Sequence, residues 1–164
     1  MTTRRVSAVI SPIAKIFAIN DDLAVRALDG LTDAQLWSAP TRVNNPMMWV
    51  VGHFIQTRAQ LLTLLGEPID TGWQERFIRG ATLRDATHYP SRDEIERIMN
   101  DVTCRLHRKL ATIDDEQVDR PPSTSLPGAD TVADEIALFA FHDSYHVGQM
   151  GYIRKALGFP ALAG

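Results

Sequence analysis

The sequence predicts an all-α protein, a four-helix bundle, and three observations lead to this prediction. Four long segments carry apolar residues at steps of three and four, which is the periodicity of an amphipathic helix. No segment alternates apolar and polar residues over the length of a strand, and no internal repeat is visible. The chain has 164 residues, 45% of them hydrophobic, which suits one compact core. We therefore expect a single domain over residues 1–164.

The first predicted helix covers residues 6–28. Its ordered start is expected nearer Ser11, because Pro12 suits the first turn of a helix, where a backbone donor is not needed. Gly30 follows the last apolar position and ends the helix. The Thr-x-x-Gln pattern that begins at Thr32 is typical of a capping box and predicts a short helical turn.

The second long helix is predicted from Asn45 to Leu65. Asn45 is expected to cap it, Pro46 to occupy its first helical position, and Gly66 to end it. Its residues are apolar on nearly every side, with a narrow polar strip at 56–60, so the helix is predicted to lie deep in the core.

Residues 66–90 form a long connection without a sustained period. Its length is sufficient for a crossover that links two parallel helices and covers a site. Trp73 and Phe77 within it are candidates for contact with a substrate. The third helix follows over about 91–113 and the fourth over 131–157, and each opens with a capping-box pattern.

Composition and charge exclude several kinds of partner. Seventeen basic and twenty acidic residues give a net charge of −3 without a long run of one sign, so neither nucleic acid nor an anionic membrane is expected. The lone Cys104 cannot form an intramolecular disulfide and is expected to pack in the core. No signal-peptide pattern or membrane span is visible, so a cytoplasmic location is expected.

Three histidines carry the strongest functional signal. His142 and His146 stand four residues apart in the fourth helix, and His53 lies in the apolar second helix. Positions four apart differ by about 40° around a helix axis and about 6 Å along it, so two imidazoles can reach one ion. Three neutral nitrogen ligands leave coordination positions open, as catalytic sites do. We predict a divalent metal site, and the ligand type suits zinc, nickel, iron or copper.

Five further residues are candidates for the pocket or for hydrogen bonds to the ligands. Helical spacing places Trp49 and Tyr145 near the histidines, as cavity walls or as ordinary core aromatics. Glu135, Asp143 and Gln149 are candidates to accept a hydrogen bond from the far ring nitrogen of a ligand. The alternative is that the histidines are structural. A di-iron centre is disfavoured, because the chain holds one carboxylate-x-x-His step rather than two.

The motifs together resemble the DinB-like (YfiT-like) superfamily of metal-dependent enzymes. The second helix starts with Asn-x-Pro-x-x-Trp-x-x-Gly-His, a long crossover follows, and the last helix carries His-x-x-x-His before Gly-Gln and a closing Leu-Gly. The resemblance implies an up-down-down-up bundle, a divalent metal on His53, His142 and His146, and a homodimer. Many relatives carry a second histidine after the last ligand, whereas this chain has Val147 and Gly148.

The sequence leaves the reaction open. The resemblance covers thiol transferases and isomerases that use bacillithiol, mycothiol or glutathione, so a low-molecular-weight thiol is one candidate cofactor. A metal can equally activate water for hydrolysis of a small molecule. The alternative from another class is a noncatalytic helical module that binds a metal or ligand in a stress response.

Overall fold

The computed structural model describes residues 6–41, 44–81, 86–124 and 126–162, and over these residues it is helical without a strand. Four long helices form the bundle, and two helices of one turn lie in the connections. The six are α1 (Ile10–Leu28), α2 (Asp33–Leu36), α3 (Met47–Leu64), α4 (Arg92–Leu110), α5 (Asp115–Val118) and α6 (Val132–Ala156). The predicted all-α four-helix bundle is confirmed.

The first and last helices run in the same direction. The Asn20 side-chain amide donates to the Ser144 hydroxyl at 3.0 Å. Further along both helices, the Arg154 side chain donates to the backbone carbonyl of Ala27 at 3.3 Å. The paired positions advance together along both helices, so α1 and α6 are parallel.

The helix α3 is antiparallel to α6. The rings of His53 and His146 have centroids 4.8 Å apart, and Arg58 Nε donates to Asp143 Oδ2 at 2.7 Å. Positions that advance along α3 therefore meet positions that retreat along α6, which makes this pair antiparallel.

The α3–α4 pair is parallel and requires the long crossover. Arg58 donates to Thr103 Oγ1 at 2.9 Å, and Lys109 lies 3.7 Å from the carboxylate of Glu67, just past the end of α3. Both contacts advance in the same direction. The bundle is therefore up-down-down-up, as the resemblance implied. Between α3 and α4 the chain must return along the full length of the bundle.

The start of α3 differs from the prediction. Pro46 itself is the N-cap, with extended backbone, and no side chain caps the helix, so Asn45 does not play that role. The helix begins one residue later than expected because Pro46 does not yet have helical ψ. Fourteen of the eighteen residues of α3 are buried, so its deep position is confirmed.

The capping boxes of α2 and α6 are present as predicted, whereas that of α4 is half formed. Ser91 accepts from the Glu94 backbone, but the Glu94 side chain accepts from Trp73 Nε1 at 3.4 Å in the crossover. The helix α4 also ends at Leu110, three residues before the predicted end. A further capping box, formed by Asp114 and Gln117, begins α5. The sequence did not predict it, because it lies within a polar connection.

Cys104 is exposed, which contradicts the prediction that it packs in the core. It lies two positions from each of Val102 and Leu106, both of which are buried. Two positions turn a side chain about 200° around the helix, so Cys104 faces away from the bundle. Over the described part of the chain, no helix is both long enough and apolar enough to cross a membrane.

Candidate metal centre

The structure brings the three predicted histidines together between α3 and α6. One ligand nitrogen from each of His53, His142 and His146 lies within 4.8 Å of the other two. The Nε2 atoms of His142 and His146 are 3.0 Å apart, and the centroid of the His53 ring is 5.3 Å from that of His142. Among the described residues, this cluster holds three histidines and no carboxylate or cysteine.

A backbone carbonyl determines which ring nitrogen of His53 carries the proton. The Nδ1 atom of His53 lies 2.5 Å from the carbonyl oxygen of Phe77 in the crossover. A carbonyl can only accept, so Nδ1 carries the proton and Nε2 presents its lone pair. The crossover therefore sets which nitrogen of His53 can bind an ion.

The side chain of Gln149 does the same for His146. Its Oε1 atom lies 2.6 Å from His146 Nδ1, while its Nε2 group donates to the Tyr145 hydroxyl at 3.4 Å. With the amide turned this way, His146 Nδ1 is the donor and His146 Nε2 is unprotonated. Gln149 therefore makes the predicted hydrogen bond to the far ring nitrogen of a candidate ligand, His146.

The third ring, His142, has a buried Nδ1 atom for which the described part of the chain offers no hydrogen-bond partner. Its Nε2 faces the lone pair of His146 Nε2 at 3.0 Å. Two lone pairs at this distance repel unless a proton or a cation lies between them. A ring nitrogen pair about 3 Å apart also suits two ligands that each lie about 2.1 Å from one ion.

The donor set therefore fits a divalent ion. Two nitrogens bound to one tetrahedral ion at about 2.1 Å are about 3.4 Å apart. The ligand nitrogens lie within 4.8 Å of one another, so the most widely separated pair needs to close by at most about 1.4 Å. Side-chain rotation supplies a movement of this size.

All three rings are held neutral, which is the form that binds a metal. Burial, and to a smaller extent the positive charge of a protonated His53, lower the pKa of His142 to about 4. Burial likewise lowers the pKa of His146 to about 4, with His142 adding to the effect and Gln149 opposing it. Burial lowers the pKa of His53 as well, and its bond to Phe77 partly offsets this.

Comparison with known families identifies the family of this chain. The model of the DinB superfamily matches residues 17–150, which is most of the chain. The protein belongs to the DinB superfamily. No curated protein sequence matches it.

One solved structure of this fold is YfiT from Bacillus subtilis, described as a probable metal-dependent hydrolase with an unusual four-helix bundle topology. It is 17% identical in sequence, with a TM-score of 0.62 over 92% of this chain and 89% of that chain. At this identity the likeness establishes a shared fold.

Two aromatic residues flank the histidines of this DinB-superfamily protein, as the helical spacing predicted. Trp49 stacks on His53 with centroids 5.0 Å apart and ring planes 14° apart, and its buried Nε1 has no hydrogen-bond partner among the residues that the structure describes. Tyr145 meets His146 edge-on at 5.3 Å and is mostly exposed. Trp49 therefore closes the inner side of the cluster, and Tyr145 lies on its solvent side.

The acidic candidates lie elsewhere. Asp143 accepts from Arg58 and is turned away from the rings, because one helical position after His142 means a rotation of about 100°. Glu135 accepts from Thr124 Oγ1 at 2.6 Å and lies seven residues, about 10 Å, before His142. The expectation that these carboxylates contact the histidines is corrected.

Arg58, which belongs to the predicted polar strip at 56–60, is a buried charge. Its side chain is 1% exposed and pairs with Asp143 and with Asp21, and its guanidinium lies over the Phe54 ring at 4.2 Å. Burial raises the pKa of Asp143 to about 6, Arg58 opposes this, and the charge of Asp21 adds to it. The cation offsets the burial of two carboxylates at the centre of the bundle.

The two crossover aromatics are core residues rather than exposed contacts. Trp73 and Phe77 are both buried, and the Phe77 ring lies against α3 where Gly52 leaves room for it. A Cβ atom on Gly52 would overlap that ring. The functional contribution of Phe77 is its carbonyl, which contacts His53. A backbone acceptor leaves no signal in sequence, although the glycine directly before His53 is consistent with a close approach.

Proposed function

We propose that this protein is a divalent-metal-dependent hydrolase of a small molecule, with the metal on His53, His142 and His146. The observation that carries the proposal is the convergence of three neutral imidazoles, two buried and the third, His142, half-buried. Two of them have their Nδ1 proton fixed by Phe77 and Gln149. The description of YfiT, which shares the fold, as a probable metal-dependent hydrolase supports it.

A divalent ion bound there would polarise a substrate oxygen and lower the pKa of a water toward neutrality, which is the chemistry of metallohydrolases. The residues of this chain hold and orient the ligand rings. Phe77 and Gln149 keep the lone pairs directed at one point, and Trp49 packs against His53 and limits its rotation. Three protein ligands leave at least one position for water or substrate.

A transferase or isomerase that uses a low-molecular-weight thiol is the other reaction for an open three-histidine site. No cysteine belongs to the cluster among the described residues, so such a reaction needs an added thiol. Addition of a small thiol to the assay therefore separates the two. A hydrolase turns over without it, and a thiol transferase does not.

The test is turnover of a panel of small esters and amides before chelation, after chelation and after return of one divalent metal at a time. We expect chelation to abolish hydrolysis and one metal to restore it. A triple variant, His53→Ala, His142→Ala and His146→Ala, should remain inactive after metal return.

The matched control is His88→Ala, which removes an exposed histidine outside the cluster and should behave as wild type. Equal turnover in the wild type and the triple variant would refute the proposal. A protein that binds metal in the cluster but hydrolyses nothing would favour the noncatalytic alternative.

A further inference from the structure

An apolar pocket lies against the candidate metal centre. It has a volume of about 400 Å³, which is within the range of small-molecule sites, and His142 forms part of its wall. It lies between α3, α6 and the segment that follows α5. Six apolar side chains line it: Leu64, Leu126, Pro127, Leu138, Phe139 and Phe141.

The polar residues of the pocket carry no charge at neutral pH. Besides the neutral His142 they are Thr57, Gln60 and Thr124, and the hydroxyl groups of both threonines are already engaged in hydrogen bonds. The Thr57 hydroxyl donates to the Phe54 carbonyl at 3.0 Å, and the Thr124 hydroxyl donates to Glu135. A charged ligand group would lose water here without meeting an opposite charge, whereas an apolar group gains from burial.

A buried carboxylate holds the outer wall in place. Glu135 on α6 is 1% exposed, and its two oxygens accept from the Ser123 backbone N–H at 3.4 Å and from the Thr124 hydroxyl at 2.6 Å. These bonds tie the segment after α5 to α6 two turns before His142. The pocket is therefore formed before a ligand arrives.

We propose that this pocket binds the uncharged, apolar acyl group of an ester or amide substrate, with the bond to be cleaved beside His142. This inference rests on the proposed function and names its substrate class. In the reaction, the oxygen of water bonds to the acyl carbon and the bond from that carbon to the leaving oxygen or nitrogen breaks. The leaving group takes a proton from the water, which gives a carboxylic acid and an alcohol or amine.

The first test measures binding, not turnover. The full chain as purified is titrated with the neutral fluorescent probe N-phenyl-1-naphthylamine, and hexanamide or hexylammonium is then added as a competitor. We expect hexanamide to displace the probe and hexylammonium to need at least about tenfold more, because the pocket offers no counter-charge. Equal displacement by the two competitors would overturn the proposal.

Matched variants on α6 locate the binding. Phe141 is 70% exposed and lines the pocket, whereas Tyr152 is 60% exposed and lies outside the lining, so both tolerate a change to Glu. We expect Phe141→Glu to weaken probe binding by about tenfold or more, the equivalent of losing one large apolar contact, and Tyr152→Glu to change it less than about twofold. Equal affinities in the two variants, with circular dichroism confirming the fold of both, would overturn the proposal.

A second test follows hydrolysis by the metal-loaded protein across p-nitrophenyl acetate, butyrate and hexanoate. We expect kcat/KM to rise by about threefold per added methylene in the wild type and in Tyr152→Glu, and to rise much less in Phe141→Glu. Turnover that is independent of acyl length, together with no specific probe binding, would refute the pocket and leave the hydrolase. Displaceable probe binding without metal-dependent turnover would refute the hydrolase and, with it, the assignment of the bound group as a substrate acyl chain.

Discussion

At the scale of single residues, the candidate centre depends on which nitrogen of each imidazole carries its proton. Phe77 contributes a backbone oxygen and Gln149 a side-chain oxygen, and each accepts from the Nδ1 atom of one ring. Of these two groups, only Gln149 can be changed by substitution. It therefore offers a direct test of how much ring orientation contributes to metal affinity.

We predict that Gln149→Leu weakens metal affinity by about tenfold to a hundredfold, because the His146 ring loses the acceptor that fixes its tautomer. Gln149→Glu keeps an acceptor at the same position and should retain the wild-type affinity or exceed it. The measurement is a metal titration against a competing chelator. An affinity for Gln149→Leu equal to that of wild type would mean that this hydrogen bond does not orient a ligand.

Arg58 is the residue whose loss should destabilise the bundle most. Arg58→Met leaves the buried Asp143 without its cation and Asp21 with its contact to His107, at a cost of about 3–5 kcal/mol in the free energy of unfolding. Urea denaturation measures this. Replacement of Asp143 by Asn in the Arg58→Met background should recover part of the loss, since one uncompensated charge is removed. A loss below about 1 kcal/mol in Arg58→Met would show that the ion pairs contribute little.

At the scale of elements, the close approach of the crossover to α3 links packing to the site. Gly52 leaves the space that the Phe77 ring fills, directly beside His53. The crossover can therefore hold both its own aromatic side chain in the core and its carbonyl against the candidate ligand. The same contact explains why a helix that is otherwise rich in large apolar residues carries a glycine at its centre.

We predict that Gly52→Ala destabilises the fold by about 1–3 kcal/mol and weakens metal binding, because the new methyl group displaces Phe77 and its carbonyl. Gly148→Ala is the matched control. It lies on α6 two residues after His146, its Cβ would meet nothing within 4 Å, and the change should stabilise the helix by up to about 1 kcal/mol. Thermal unfolding and metal titration measure both effects. Similar behaviour of the two variants would contradict the role given to Gly52.

Sequence periodicity was sufficient for the long helices and for the placement of His142 beside His146, because both depend on local spacing. The binding of one metal by His53 together with these two was implied by the family resemblance. Periodicity did not find the Phe77 acceptor, since a carbonyl has no residue signature. It gave Arg58 as part of a polar strip without its ion pairs, because the two carboxylates that pair with it come from α1 and α6, 37 and 85 positions away. Contacts between distant segments are the part that spacing alone does not supply.

At the scale of the whole molecule, the three histidines of the cluster couple stability to pH. Their folded pKa values lie below the ordinary value of 6.5, so the unfolded chain binds more protons between about pH 4 and 6.5. Stability that is present at neutral pH is therefore lost as the pH falls through this window. Asp143, with its pKa raised to about 6, acts in the opposite direction, but it is one group against three.

We predict that the metal-free protein has a lower melting temperature at pH 4.5 than at pH 7, and that the triple histidine variant shows a weaker dependence. Bound metal should raise the melting temperature at pH 7 and have little effect at pH 4.5, where protons compete for the same nitrogens. Calorimetry across this range measures both. An identical pH profile in wild type and triple variant would show that the histidines do not govern the transition.

The most direct measurement is elemental analysis of tag-free protein, wild type beside the His53→Ala, His142→Ala, His146→Ala variant, before and after incubation with divalent metals. Convergence of the three rings predicts about one divalent metal per chain in the wild type and none in the variant, with helical content unchanged. Equal metal content in the two proteins, or none in the wild type after incubation, would contradict the assignment of a metal centre.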